Sequence, residues 1–528
     1  MHVYDFDYLV VGSGFGGSVS ALRLAERGYK VAVIEMGKRW RKEDFPRSTW
    51  DLRRFLWRPA LGMYGILQMT ITRDAFFLHG AGVGGGSLVY ANTLLVPSAR
   101  AFDDPRWVGQ DWQTALAPHY ETAKRMLGAI ESPVLVGTDH MLAEVAADMG
   151  QAGTFKRHTV GVFFGEPGKE VADPYFDGKG PARTGCTTCG GCMVGCRVGA
   201  KNTLDQNYLH LAEQLGVTIL PETRVLDLQP ISPDGSDGYR VVTERSTGLF
   251  HPRRTLTARG VVLSGGSYGT SSLLMRCKQR GSLPKLSDAL GSYVRTNSEA
   301  LLGVRTRRND VDYSRGLAIT SGVMVDGDTH VEVCRYPRGS DAIALLSTVL
   351  TDGGKWPRWM YWLKALVTHP LDALRTLLPF GMAVRTAILL VMQPVDSHLR
   401  YRLRRRWWWP FSLKVDSEAG TGPRAPVYLP VANEVARRMA KKMDGDAQSG
   451  LIEVLTNKAT TAHILGGCPI GVSSEDGVVD ADSRVFGYEH LYVVDGSIIP
   501  ANLGVNPSLT ITAMAEYAMS KIPPKPPT

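Results

Sequence analysis

Tyr8-Leu9-Val10-Val11 is an apolar run of strand length that ends directly on Gly12-Ser13-Gly14-Phe15-Gly16-Gly17. A G-x-G-x-x-G string between a buried strand and a helix constrains this chain more than any other feature, because it requires a tight turn that opens onto helix N–H groups. The helical pattern occupies residues 18–27, with Val19, Leu22 and Ala25 inward and Gly28 just past its end. Val31-Ala32-Val33-Ile34 then returns as a second buried strand, so the unit reads β-α-β. Its glycines admit a pyrophosphate to backbone N–H groups and to the positive end of the helix. Glu35 closes the second strand 23 positions after Gly12, where a carboxylate accepts hydrogen bonds from adenosine ribose hydroxyls. Strand, turn, helix and acid in register predict a Rossmann-type dinucleotide-binding domain of α/β class. The competing reading is a glycine-rich turn beside a surface glutamate.

At 528 residues the chain exceeds a single small module, and 44% hydrophobic with 21% charged residues excludes wholesale disorder or a fibrous repeat. Later strands are predicted at residues 217–220, around Val225 and at 261–263, as in an α/β sheet. From about residue 301 short strand-like stretches (322–325 and 330–336) alternate with basic, tryptophan-rich segments. This predicts an interleaved layout: a dinucleotide-binding domain over 1–300, an α+β substrate-binding domain built on an antiparallel sheet over 301–450, and a return to the first domain over 451–528. A helix is expected over 509–520, followed by a mobile proline-rich tail at 523–527. The amino terminus lacks the basic and apolar regions of a secretory signal, and the apolar run 387–392 is far shorter than the roughly 20 residues that span a bilayer. A cytoplasmic protein, with peripheral membrane association as an option, is the expectation.

Four of the seven cysteines share one window, Cys186-x-x-Cys189-x-x-Cys192-x-x-x-Cys196, while Cys277, Cys334 and Cys468 are scattered, so a disulfide framework does not fit. The spacing repeats that of bacterial ferredoxins, although Arg197 stands where their proline follows. A three-iron or four-iron cluster, a tetrahedral zinc, and reduced packing thiols are the three readings. The net charge of +9 includes two basic aromatic segments, Lys355 to Trp362 and Arg400 to Phe411. Such segments dock on lipid headgroups, or line a cavity with tryptophan while the arginines stay solvated. No nucleic-acid reading module accompanies them.

A second glycine cluster, Gly80-Ala81-Gly82-Val83-Gly84-Gly85-Gly86-Ser87, has no strand pair around it and so wraps the remainder of a long cofactor rather than starting a second Rossmann unit. With it, Ala462-His463-Ile464-Leu465-Gly466-Gly467-Cys468, Leu491-Tyr492-Val493-Val494-Asp495-Gly496 and Val505-Asn506-Pro507-Ser508 resemble segments of the glucose-methanol-choline family of flavin oxidoreductases. The resemblance runs from about residue 6 to 522 and is nearest to the bacterial cholesterol-oxidase-like branch. It implies FAD, held by Gly12, Gly14, Gly17, Glu35, Gly80, Gly82, Gly85, Ser87, Asn92, Val225, Asp495 and Asn506. It implies oxidation of a bulky apolar alcohol, a sterol 3-hydroxyl above all, to the ketone, with oxygen or another redox acceptor closing the cycle. His463 and Asn506 match the family's residues beside the flavin ring, with Ile464 where many members have proline. Glu332 resembles the substrate-domain base and double-bond isomerisation catalyst of sterol oxidases, and burial predicts a raised pKa for it; an exposed carboxylate paired with Arg335 or Arg338 is the alternative. Dehydrogenase members of the family carry a cysteine-rich insertion with an iron-sulfur cluster, here residues 183–200. The rival functions are therefore a flavin and iron-sulfur alcohol dehydrogenase passing electrons to a protein or quinone, and a non-enzymatic iron-sulfur redox protein.

Overall fold

The computed structural model describes residues 4–368, 370–406 and 409–527. β1 (Phe6–Val11) and β2 (Val31–Ile34) pair in parallel with Tyr8 beside Val31, and α1 (Phe15–Glu26) connects them. The helix starts earlier than its apolar periodicity predicts, because its first turn contains Gly16 and Gly17, which carry no hydrophobic signal. All four residues of β2 are buried, as expected of a parallel strand covered on both faces. The sheet runs in the order Thr218–Leu220, β2, β1, Arg253–Leu263, Tyr239–Arg245, Thr223–Pro230, and Leu491–Val493 also pairs with Arg253–Leu263. The carboxyl-terminal strand thus returns beside the first β-α-β unit and runs parallel to Val261–Leu263.

The helix Ser508–Ser520 packs on α1 and on Trp112–Met126, and Arg23 pairs with its buried Glu516 at 2.7 Å. The tail beyond it contacts the first β-α-β unit. Lys525 donates through its backbone N–H to the Arg27 carbonyl at 2.9 Å and through Nζ to Asp7 at 2.7 Å, and Tyr29 donates to the Pro523 carbonyl. Proline cannot extend the helix, but its carbonyl still accepts.

A second seven-stranded sheet is antiparallel throughout, in the order Ser347–Val349, Gly445–Gly450, Ala300–Thr306, Thr386–Met392, His330–Cys334, Ser321–Met324, Lys156–Arg157. The apolar run at 387–392 is an inner strand of this sheet. Among the described residues no helix is long and apolar enough to cross a membrane. Strand alternation places Val331 and Val333 in the core under the helices Gly137–Asp148 and Pro430–Lys442, and therefore turns His330, Glu332 and Cys334 toward the other face. The hairpin Leu399–Arg406 with Trp409–Ala419 lies within the stretch expected to build the substrate side, yet Leu399, Tyr401 and Val415 belong to the core of the first sheet. Trp407 and Trp408 lie outside the described residues.

Candidate active site

A cavity of about 630 Å³ is lined from both sheets. One end is the glycine turn after β1. A side chain at Gly12, Gly16 or Gly17 would collide with backbone, in the extreme case 1.7 Å from the Val494 carbonyl oxygen at Gly16, so these three glycines serve close packing. Gly14 differs: a Cβ there meets no protein atom within 4 Å, and Gly14 caps α1 where unpaired N–H groups face the cavity. The second glycine cluster closes on it, with Gly85 so near that its Cβ would stand 2.6 Å from the Gly14 Cα. This is a cradle of backbone N–H groups at a helix terminus, suited to a pyrophosphate.

Glu35 pins the two glycine segments together. Ser13 donates to Oε2 through N–H and Oγ at 3.1 and 2.7 Å, and Gly37 and Gly82 donate to Oε1 at 2.8 and 3.4 Å. Burial raises its pKa against these donors. Gly12, Gly14, Glu35, Gly80, Gly85, Val225, Asp495 and Asn506 line the cavity; Gly17, Gly82, Ser87 and Asn92 stand behind its wall. Ser87 donates to the Gly84 carbonyl at 2.6 Å and accepts from Leu204 N–H at 3.0 Å, so it shapes the glycine turn. Asn92, buried with a φ of 71°, has both amide atoms without a hydrogen-bond partner. Asp495 accepts from Gly266 N–H, Ser497 N–H and Thr270 Oγ1 at 2.6 to 2.8 Å.

At the other end, His463 and Asn506 come together on the cavity wall, His463 Nε2 lying 3.5 Å from Asn506 Nδ2. His463 Nδ1 contacts Glu299 Oε2 at 2.9 Å, and that carboxylate also accepts from Thr461 Oγ1 at 2.8 Å. Burial alone would lower the histidine pKa, but the charge and hydrogen bond of Glu299 outweigh it and the net shift is upward. The pair therefore stabilises the fold below the ordinary histidine value, and that contribution fades as pH rises through the raised one. Glu299 follows Asn297 and Ser298, consecutive non-glycine residues at positive φ. They are held by Asn297 N–H donating to Asn502 Oδ1 at 2.8 Å and Asn297 Nδ2 donating to the Val505 carbonyl at 3.1 Å. Backbone in this region persists only where its surroundings over-determine it. We expect Glu299→Gln to move the limb of the pH profile for flavin reduction that belongs to His463 to lower pH, since the charge holding its proton is gone; an unmoved limb would contradict the pairing.

Glu332 is fully buried and accepts from Asn506 Nδ2 at 3.1 Å, but it does not line the cavity; Asn506 stands between. Neither arginine named as an alternative partner reaches it, for Arg335 turns to Asp139 and Arg338 to Asp312. The expected upward pKa shift is also wrong in sign. Burial pushes it up, but the hydrogen bond and charge of His158, the charge of His330 and the Asn506 donor together hold it below the usual carboxylate value. His158, His330 and Glu299, which contact or face Glu332 and His463, carry no role in the sequence reading. His330 was visible beside Glu332, whereas His158 and Glu299 carry no motif.

The four clustered cysteines are free thiols; Cys189 is exposed, while Cys186, Cys192 and Cys196 pack beside Val160, Val162, Ala200 and Leu317. Among the described residues no three of them bring sulfurs within 4.8 Å of one another. A tetrahedral zinc with Zn–S of about 2.3 Å needs sulfurs roughly 3.8 Å apart, so no zinc site is formed as the loop stands. No tryptophan lines the cavity among the described residues. Trp356 and Trp359 are exposed, and Trp362 donates to Thr348 Oγ1 at 2.7 Å.

GMC oxidoreductase family models match residues 181–279 and 423–515, and a Rossmann-like NAD(P)-binding model matches 10–40. A cholesterol oxidase of Acinetobacter baumannii is 49% identical, covering 99% of this chain and 95% of its own length. The chain belongs to the GMC oxidoreductase family. A cholesterol oxidase of Mycobacterium tuberculosis is 47% identical over 99% of this chain and 92% of its own. Pyridoxine 4-oxidase from Mesorbium loti shares the fold at a TM-score of 0.63 and 16% identity, covering 98% of this chain and 99% of that one. As a GMC oxidoreductase the chain is an FAD-dependent enzyme acting on CH–OH donors. The open cradle at Gly14 fits that cofactor.

Proposed function

We propose that this GMC oxidoreductase oxidises the 3-hydroxyl of a sterol to the 3-ketone, with oxygen as acceptor and with double-bond isomerisation as a further step. The observation that carries the reading is the His463–Asn506 pair at the wall of a largely apolar cavity, in a chain that matches two cholesterol oxidases over 99% of its length. When bound, FAD supplies the two-electron acceptor for the carbinol hydrogen. His463, kept basic by Glu299, handles the hydroxyl proton at Nε2. Asn506 Oδ1, buried without a partner, is free to orient a bound group, because its Nδ2 is committed to Glu332. The flavin-binding part is proposed as residues 1–300 with 451–528, and the substrate part as 301–450. The test is product analysis in air: a 3-ketosteroid with one hydrogen peroxide per turnover supports the oxidase, whereas ketone formed only with an added dye or quinone favours a dehydrogenase.

Two finer readings belong to this proposal. Trp356, Trp359, Leu363, Val367, Leu371 and Leu374 are exposed along 356–374, beside Leu345, which sits between the cavity-lining Ile343 and Leu346. An apolar surface continuous with the cavity wall and flanked by Lys355 and Lys364 suits delivery of sterol from an anionic bilayer. Trp359→Ser with Leu363→Ser is expected to weaken sedimentation with phosphatidylglycerol vesicles by about tenfold or more, given the apolar area removed. Equal binding would remove the docking surface. The ferredoxin-like spacing supports an iron-sulfur cluster on Cys186, Cys189, Cys192 and Cys196, in a loop whose Met193 lines the cavity. Anaerobically purified protein is then expected to hold about three or four irons per chain with matching sulfide. Iron-free protein would leave the four as packing thiols.

A further inference from the structure

The cavity wall carries one more buried polar side chain, Glu453, which the alcohol chemistry described above does not use. Its place follows from the second sheet. Glu332, Leu390 and Leu301 stand side by side on neighbouring strands, and Gly450 adjoins Leu301 on the next. Residues opposite one another on adjacent strands share a face, so Leu390 and Leu301 make an apolar floor to the cavity. Asn506 stands over the Glu332 end of this row. Glu453 closes the other end, on the short helix Leu451–Thr456, with its carboxyl carbon 3.4 Å from where a Cβ on Gly450 would be. The row crosses from the strand His330–Cys334 to the strand Gly445–Gly450, three strand spacings or about 14 Å. That is the scale of a fused four-ring nucleus.

Glu453 is 4% exposed, and its Oε1 is buried without a well-aligned hydrogen bond. A buried polar atom in that state is costly unless a partner reaches it. Arg358 does not fill the role, because its Nη1 is 3.7 Å from Oε2 and its Nη atoms donate to the Val427 and Thr351 carbonyls. Burial pushes the Glu453 pKa up to about 8, against the Arg358 charge and the Leu301 N–H and Thr460 hydroxyl donors. Near neutral pH the carboxyl therefore holds a proton and has an O–H to donate as well as oxygens that accept. Glu299, whose charge also reaches it, is committed to His463 and Thr461.

We propose that Glu453 is a specificity-determining residue whose carboxyl hydrogen-bonds an oxygen at the far end of the steroid nucleus, so that the preferred substrates are 3-hydroxysteroids with a second oxygen on the last ring. The inference rests on the proposed sterol oxidation. With the 3-hydroxyl at His463 and Asn506, the rings lie on Leu390 and Leu301 and the last of them reaches Glu453. A ketone there accepts from the carboxyl O–H, and a hydroxyl donates to Oε1. An analogue without that oxygen leaves the buried carboxyl unpaired, and a site built to hydrogen-bond an oxygen rejects such an analogue.

The test compares kcat/KM of the holoenzyme near neutral pH for dehydroepiandrosterone, which has a ketone at carbon 17, and androst-5-en-3β-ol, which lacks only that oxygen. The parent protein is expected to favour the ketone by about tenfold or more, the scale of one buried hydrogen bond made or left unmade. Glu453→Leu is expected to bring the ratio to one or below, whereas Glu453→Gln, whose amide still donates, is expected to keep most of it. A ratio of two substrates on one enzyme does not move with a merely structural loss, and the parent ratio stands even if a variant misfolds. A parent ratio near or below one, a preference that survives in Glu453→Leu, or one that is lost in Glu453→Gln overturns the proposal. If cholesterol and both steroids leave the flavin oxidised, the sterol reading fails first and the proposal falls with it, a result distinct from turnover without preference for the ketone.

Discussion

Replacing His463 with alanine is expected to slow anaerobic flavin reduction by roughly a hundredfold or more, the usual scale for a lost acid-base group, while the bound flavin spectrum stays unchanged. His463 is on the cavity wall, where its Nε2 meets Asn506, and it is not a packing residue at the centre of either core. Its removal leaves Glu299 buried but not abandoned, since Thr461 Oγ1 and Ala462 N–H still donate to that carboxylate. The fold and the flavin cradle, built from other segments, should therefore survive. Stopped-flow reduction under anaerobic conditions separates this step from oxygen chemistry. Reduction within a few fold of the parent rate would leave His463 as a structural histidine and move the proton chemistry elsewhere.

Gly14→Val is expected to yield folded protein without FAD. The prediction rests on a contrast among the glycines. At Gly12, Gly16 and Gly17 a side chain would strike Ser264, Val494 or Gly12 backbone, so substitution there damages the fold itself. At Gly14 the φ of −72° suits any residue and the added Cβ meets no protein atom, so the only thing it obstructs is what the cradle holds. The ratio of absorbance at the flavin band to that of protein measures occupancy directly, and circular dichroism verifies the fold. The variant should melt lower than the parent, because a ligand that binds only the native state stabilises it. Stoichiometric flavin in this variant would show that the pyrophosphate does not lie on Gly14.

The parts of the molecule that were legible in the sequence are those where local pattern and fold coincide. The β-α-β unit declares itself because a buried strand, a turn that only glycine fits and an amphipathic helix all fall within residues 6–34. His463 and Asn506 were legible because each sits in a segment whose neighbours match the family. Glu332 was found, but its surroundings were not. Its depressed pKa depends on His158, which is 174 residues away in the chain and reaches it only because the strand Lys156–Arg157 joins the edge of the second sheet. Glu299 was hidden in the same way, since its partner is 164 residues distant. The tail is a further case: a proline-rich composition argues against helix but says nothing about a carbonyl and a lysine finding Tyr29, Arg27 and Asp7. The cysteine spacing describes what a loop can ligate, but not that Val160, Val162 and Leu317, from other segments, pack against Cys186, Cys192 and Cys196.

The central claim is that a sterol hydroxyl is oxidised at the His463–Asn506 wall of a flavin-containing cavity. Anaerobic titration of purified holoenzyme with cholesterol, followed by flavin absorbance, tests it most directly. The account predicts that one equivalent of cholesterol bleaches the oxidised flavin bands completely, that one 3-ketosteroid is recovered per flavin, and that epicholesterol, with its hydroxyl on the opposite face of the ring, leaves the bands in place. Flavin that stays oxidised with cholesterol, or bleaches equally with both epimers, would contradict it.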